Sequence, residues 1–109
     1  MQKFTLILDL KNDPQLIEEY ENIHKEIPAY IAKTIKDSGI TKMEIFRFEN
    51  RMVMHIEAND EFSFDEKSKM DANDPKVVEW ETRMAGFQQI IPGTKAGEKW
   101  VLAKQIFDL

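Results

Sequence analysis

Tyr20 and His24 are four residues apart, the spacing that stacks two side chains on one face of a helix. Histidine exchanges protons near neutral pH, and a phenol beside it adds a second donor and acceptor. The pair shares its face with Ile17, Ile27 and Ile31. A histidine on such a face is either a core residue satisfied by its neighbours or the polar group of a pocket. Pro28 bends the chain just beyond and gives that face a place to open. Trp80 stands between Val77 and Met84 in a second apolar stripe. It is either core or a stacking wall for a sugar ring, whose C–H faces pack on aromatics. Glu81 follows it, rotated off the stripe toward solvent.

The elements that position these residues follow from periodicity and caps. Residues 3–10 alternate, with Phe4, Leu6, Leu8 and Leu10 on one face, and read as a strand. Asp13-Pro14 is a cap followed by proline at the first helical position. The helix it opens runs to about Ser38, with Gly39 as its stop and a kink or interruption at residues 24–27, before Pro28. Residues 40–48 and 51–58 form an antiparallel hairpin around Glu49-Asn50-Arg51. Ser63-Phe64-Asp65-Glu66 is a capping box for a short helix. Asn73-Asp74-Pro75 starts the last helix, whose face carries Val77, Trp80, Met84, Phe87 and Ile91 and which ends at Pro92-Gly93. Residues 94–98 are a polar loop, and 99–107 form the last strand.

That order predicts one domain over residues 1–109 of the α+β class, a ferredoxin-like βαββαβ arrangement. A four-stranded antiparallel sheet has its helices on one face. The opposite face carries Thr5, Ile7, Val53 and His55, too apolar to be fully wet, so a homodimer packed through it is expected. His55 then lies in the interface, and Trp100 covers the pocket or anchors the dimer. Glu44, Arg47 and Glu57 read as cross-strand partners on a sheet face. Asp60-Glu61 and Asp65-Glu66 read as loop and cap charge, without the spacing of a calcium loop.

The chain has 109 residues, 42% hydrophobic and 32% charged, which excludes a disordered or low-complexity protein. Twenty acidic against fifteen basic residues give a net charge of −5, which weighs against a nucleic-acid or anionic-membrane partner. With no Cys, there is no disulfide, thiolate metal site or cysteine nucleophile. The N-terminus lacks the pattern of a signal peptide, and no apolar run is long enough for a span; a cytoplasmic location is expected. Glycine-rich phosphate loops, Gly-x-Ser-x-Gly and His-Glu-x-x-His are absent. Proton-transfer chemistry without cofactor or metal is left, or binding alone.

Glu18-Glu19-Tyr20, Ile23-His24 and Ile27-Pro28 after the first strand resemble the start of the L-rhamnose mutarotase family. Ser38-Gly39-Ile40, Val78-Glu79-Trp80, Gln88-Gln89-x-x-Pro92 and Gly97-Glu98-Lys99-Trp100 continue the resemblance along nearly the whole chain. It implies a dimeric ferredoxin-like α/β barrel that interconverts sugar anomers, with His24 as proton donor and Tyr20 and Trp80 lining the sugar. Met43 and Glu81 complete the substrate wall, and both depart from the family pattern, which has Tyr and a second Trp there. The departures bear on the identity of the sugar, L-rhamnose or L-fucose, more than on mutarotation. Two other functions fit the same fold. One is a dimeric sugar- or small-ligand-binding module with no catalysis. The other is a cofactor-free or haem-handling monooxygenase with His24 as an axial ligand.

Overall fold

The alternation at the N-terminus becomes β1 (Gln2–Leu10), with Leu6, Leu8 and Leu10 buried. The computed structural model describes residues 1–109. The Asp13 carboxylate accepts from the N–H groups of Gln15 and Leu16 at 2.9 and 3.4 Å, and Pro14 opens α1 (Pro14–His24). A proline is tolerated there because a first-turn N–H has no intrahelical partner to lose. Pro28 then interrupts the helix outright. Lys25 caps α1 with its backbone still helical, residues 26–27 belong to neither helix, and α2 (Ala29–Asp37) starts afresh. Proline has no N–H for the carbonyl one turn back, and it pushes the residue before it toward extended backbone.

After α2 the chain reverses at Gly39 (φ +105°) into β2 (Ile40–Phe48). β3 (Arg51–Ala58) returns through a turn in which Glu49 takes a left-handed φ of 52°. Ser63 Oγ accepts from the Glu66 N–H at 3.4 Å and caps α3 (Phe64–Ala72). Asp74 accepts from the Lys76 N–H at 3.0 Å and caps α4 (Pro75–Ala85). No helix is long and apolar enough to cross a membrane.

Two sequence expectations need correction after α4. The helix ends at Ala85, with Gly86 as its cap, and does not continue to Ile91. The Phe87 N–H turns back to the Met84 carbonyl at 2.9 Å, and the Phe87 carbonyl accepts from the Lys11 N–H at 2.9 Å. Gln88–Gln89 thereby becomes a short strand, β4, paired with Asp9 and Leu10. The free edge of β1 competes for this backbone and wins over helix continuation. The last strand is also shorter than expected: only Val101–Leu102, β5, pairs with β1. The Ala103 N–H still donates to the Thr5 carbonyl at 2.8 Å, and the residues beyond it leave the sheet, with Ile106 and Phe107 exposed.

All strand pairs are antiparallel, in the order β2-β3-β1-β4, with β5 also on β1. The fourth position of a ferredoxin-like sheet is thus shared by two short pieces. Leu6, Leu8, Leu10, Met52, Met54 and Ile56 face the helices and form the core with Tyr20, Ile31, Val77, Trp80 and Met84. Directly opposed residues share a face, so Met43, Ile45 and Arg47, opposite Ile56, Met54 and Met52, also point to the helix side. Glu44, Phe46 and Phe48 lie on the outer face with Thr5, Ile7, Val53, His55 and Glu57. Arg47 therefore does not share a face with Glu44, as the cross-strand expectation required. It reaches over and donates from Nε to Glu21 of α1. Along β2 the core thins out: Met43 is only half-buried, and Ile45 is 37% exposed although it faces inward.

Candidate active site

The thin region beneath β2 is a cavity. Tyr20 and His24 enter it from α1, Trp80 and Glu81 from α4, and Met43 from β2. All five expected residues line one space of about 280 Å³, which adjoins a cleft of about 690 Å³ along the edge of β2. Tyr20, His24 and Met43 line both spaces, so they stand where the cavity meets the cleft. Trp100 also lines the inner cavity, as its expected pocket-covering role requires.

The imidazole of His24 lies against the ring of Tyr20, with centroids 4.2 Å apart, and 5.9 Å from Trp80. Its Nδ1 sits 2.8 Å from the Tyr20 carbonyl oxygen. A carbonyl only accepts, so Nδ1 carries a proton and donates it. Nε2 has no protein partner and is the nitrogen left to exchange a proton. The turn of helix that carries the ring thus also fixes its tautomer.

Tyr20 is buried, and burial holds its phenol above the ordinary tyrosine range. A hydrogen bond from Gln88 works the other way, and the Glu81 carboxylate adds to the rise. At neutral pH Tyr20 is therefore a phenol, able to donate and not a base. Glu81 is the only carboxylate lining the inner cavity. Lys99 steadies it, donating to its backbone carbonyl at 3.1 Å with the ammonium 3.8 Å from Oε2.

His55 is not part of this site. It is exposed on the outer face, 3.1 Å from Thr5 Oγ1 and edge-on to Phe46. Sequence reasoning missed Gln88 and Lys67, which line the same cavity. Lys67 is held by Asp71 at 2.6 Å. Gln88 was hidden by the overlong helix; Gly86 was the available signal that the helix stops first.

The architecture defines a class: a ferredoxin-like α+β protein whose helices and antiparallel sheet enclose an aromatic-walled cavity with one histidine. Within that class the chain belongs to the L-rhamnose mutarotase family, whose profile matches residues 3–109. It is 37% identical over 111 residues to an L-fucose mutarotase of Xanthomonas campestris pv. campestris, across 100% of this chain and 89% of the relative. It is 35% identical over 114 residues to a UPF0734 protein of Dictyostelium discoideum, across 99% and 90%. Among solved structures it superposes on an L-rhamnose mutarotase from Formosa agariphila with a TM-score of 0.73 at 16% identity, covering 100% and 99% of the two chains. It also superposes on tetracenomycin F2 cyclase from Streptomyces glaucescens with a TM-score of 0.66 at 18% identity, covering 100% and 97%. The last two likenesses are of fold, and one fold carrying two chemistries puts the weight on the residues of the site.

Proposed function

We propose that the chain is an isomerase, an aldose mutarotase that interconverts the α and β anomers of a 6-deoxy sugar by acid–base ring opening. One observation carries the reading in a chain of this family. Tyr20, Trp80 and a single histidine, with one ring nitrogen committed to the backbone, line one cavity. In the reaction, His24 acts from its imidazolium form, with Nδ1–H kept on the Tyr20 carbonyl. It delivers the Nε2 proton to the ring oxygen as the bond from that oxygen to the anomeric carbon breaks, and is left as the neutral Nδ1–H tautomer. The anomeric hydroxyl gives up its proton, and the carbon becomes an aldehyde. Rotation about the next carbon–carbon bond turns the other aldehyde face to the ring hydroxyl. Reclosure returns both protons. Tyr20 holds a sugar oxygen as a donor, and Trp80 stacks on the ring.

Met43 and Glu81 shape the wall, and the relative named an L-fucose mutarotase favours L-fucose over L-rhamnose as the substrate. The anomeric proton goes either to Glu81 or to a water. Saturation-difference NMR of both sugars tests all of this. Exchange above the uncatalysed rate is expected for the unmodified chain and is lost in His24→Ala with the fold intact. General acid–base catalysis is worth about 10²–10⁴-fold, so Glu81→Gln loses that order of rate if the carboxylate takes the proton and nothing if water does. Full activity of His24→Ala sinks the assignment. Binding without exchange by the unmodified chain makes it a sugar-binding module instead.

The outer sheet face supports a homodimer. Phe46 and Phe48 are 54% and 80% exposed there, beside Ile7 and Val53, and the apolar tail with Ile106 and Phe107 runs free next to it. An isologous pairing covers such a face with itself.

A further inference from the structure

We infer that Gln88 is a specificity-determining residue that reads one hydroxyl of the sugar, an assignment resting on the proposed sugar site. Its Oε1 is the one buried side-chain polar atom in the molecule without a hydrogen-bond partner. Buried polar atoms are nearly always paired, and Gln88 lines the cavity, so its unpaired oxygen is the acceptor to which a hydroxyl of the ligand is assigned. The other end of the same amide is engaged: Nε2 donates to Tyr20 Oη at 3.4 Å. Gln88 is thereby tied to the residue that stacks on His24.

Its backbone is also held by the sheet. Gln88 belongs to β4, paired through its backbone with Leu10. A strand positions a side chain more tightly than a loop does. The amide oxygen carries partial negative charge, and Glu81 is also among the residues lining the cavity. An anionic group finds no donor in this oxygen. A neutral polyol has one, because each hydroxyl can donate. Epimeric aldoses differ in the direction of a single hydroxyl, and an acceptor fixed on a sheet meets one direction only. A site built to bond a substrate hydroxyl rejects the analogue that lacks it far more sharply than an apolar wall does, because the protein atom is then left unpaired.

The test is a ligand-observed NMR titration of L-fucose, L-rhamnose and their epimers against the unmodified chain, Gln88→Met and Gln88→Glu. The unmodified chain is expected to prefer one configuration about tenfold or more. Gln88→Met is expected to lose that preference while its melting temperature stays level or rises, since an unpaired buried polar atom has been removed. Gln88→Glu keeps an acceptor and is expected to keep the ranking. An unchanged ranking in Gln88→Met, a lost ranking in Gln88→Glu, or a Gln88→Met chain that does not fold overturns the assignment. Anomer exchange read on the unmodified chain in the same tubes separates the two ideas. Binding with discrimination but no exchange overturns the mutarotase reading and leaves Gln88 standing.

Discussion

Tyr20 joins structure and site in one side chain. Its backbone carbonyl fixes the His24 tautomer, its ring stacks on the imidazole, and its hydroxyl meets Gln88. The ring is buried in the core, which is why its phenol is held up in pKa. The consequence for stability has a definite sign. The folded state keeps the proton more tightly than the unfolded chain, whose tyrosine titrates at about 10. The contribution is therefore complete below pH 10 and is lost as the pH rises through the higher folded value. In urea titrations from pH 8 to 11, the unmodified chain should lose more stability above pH 10 than Tyr20→Phe. Parallel curves for the two would show that Tyr20 does not carry the linkage. The chemical candidates were legible at this scale because types and spacing are local: Tyr20, His24 and Trp80 line one cavity as expected. The orphaned oxygen of Gln88 was not legible, because pairing is a property of neighbours distant in sequence.

The local punctuation of the chain accounts for most of the elements. Asp13-Pro14, Ser63 and Asp74-Pro75 all cap helices where their chemistry says they should, and Pro28 separates two helices. Gly39 is the most constrained of these signals. Its φ of +105° disfavours any side chain, and an added Cβ would lie 2.7 Å from the Asn59 side-chain oxygen. Gly39→Ala should cost about 1–2 kcal/mol from the backbone conformation, with more if Asn59 cannot move. Equilibrium denaturation measures it, and an unchanged midpoint would refute the strain. β4 and β5 are two residues each, below the length at which a period can be recognised. They exist only because β1 offers a long edge with β3 on its other side. The same dependence made α4 look six residues too long.

A small domain that encloses a cavity gives up core. In this molecule the loss falls along β2, an edge strand whose inward side chains meet open space over much of their length. Lys42, Glu44 and Arg47 on that strand guard its free edge against unwanted pairing. The opposite sheet face offers compensation if two copies share it. Phe48 is 80% exposed there and lines neither the inner cavity nor the cleft, so it separates assembly from the site. Phe48→Asp should shift the chain to monomer in sedimentation equilibrium, whereas an unmodified chain that is itself monomeric at micromolar concentration would remove the dimer. The rank of the two faces follows from alternation along the strands, and so it was visible before the structure.

The sequence by itself determined the class of fold, the order of its main elements, the two sheet faces and the histidine that we propose carries the proton. Each of these depends on periodicity, caps or residue type, which act over a few neighbouring positions. Only the tertiary structure decided that five residues from α1, β2 and α4 meet in one cavity, that Arg47 turns inward to Glu21, and that the β1 edge captures Gln88. Those outcomes depend on backbone and side-chain groups dozens of positions apart coming within bonding distance, and no local pattern records that.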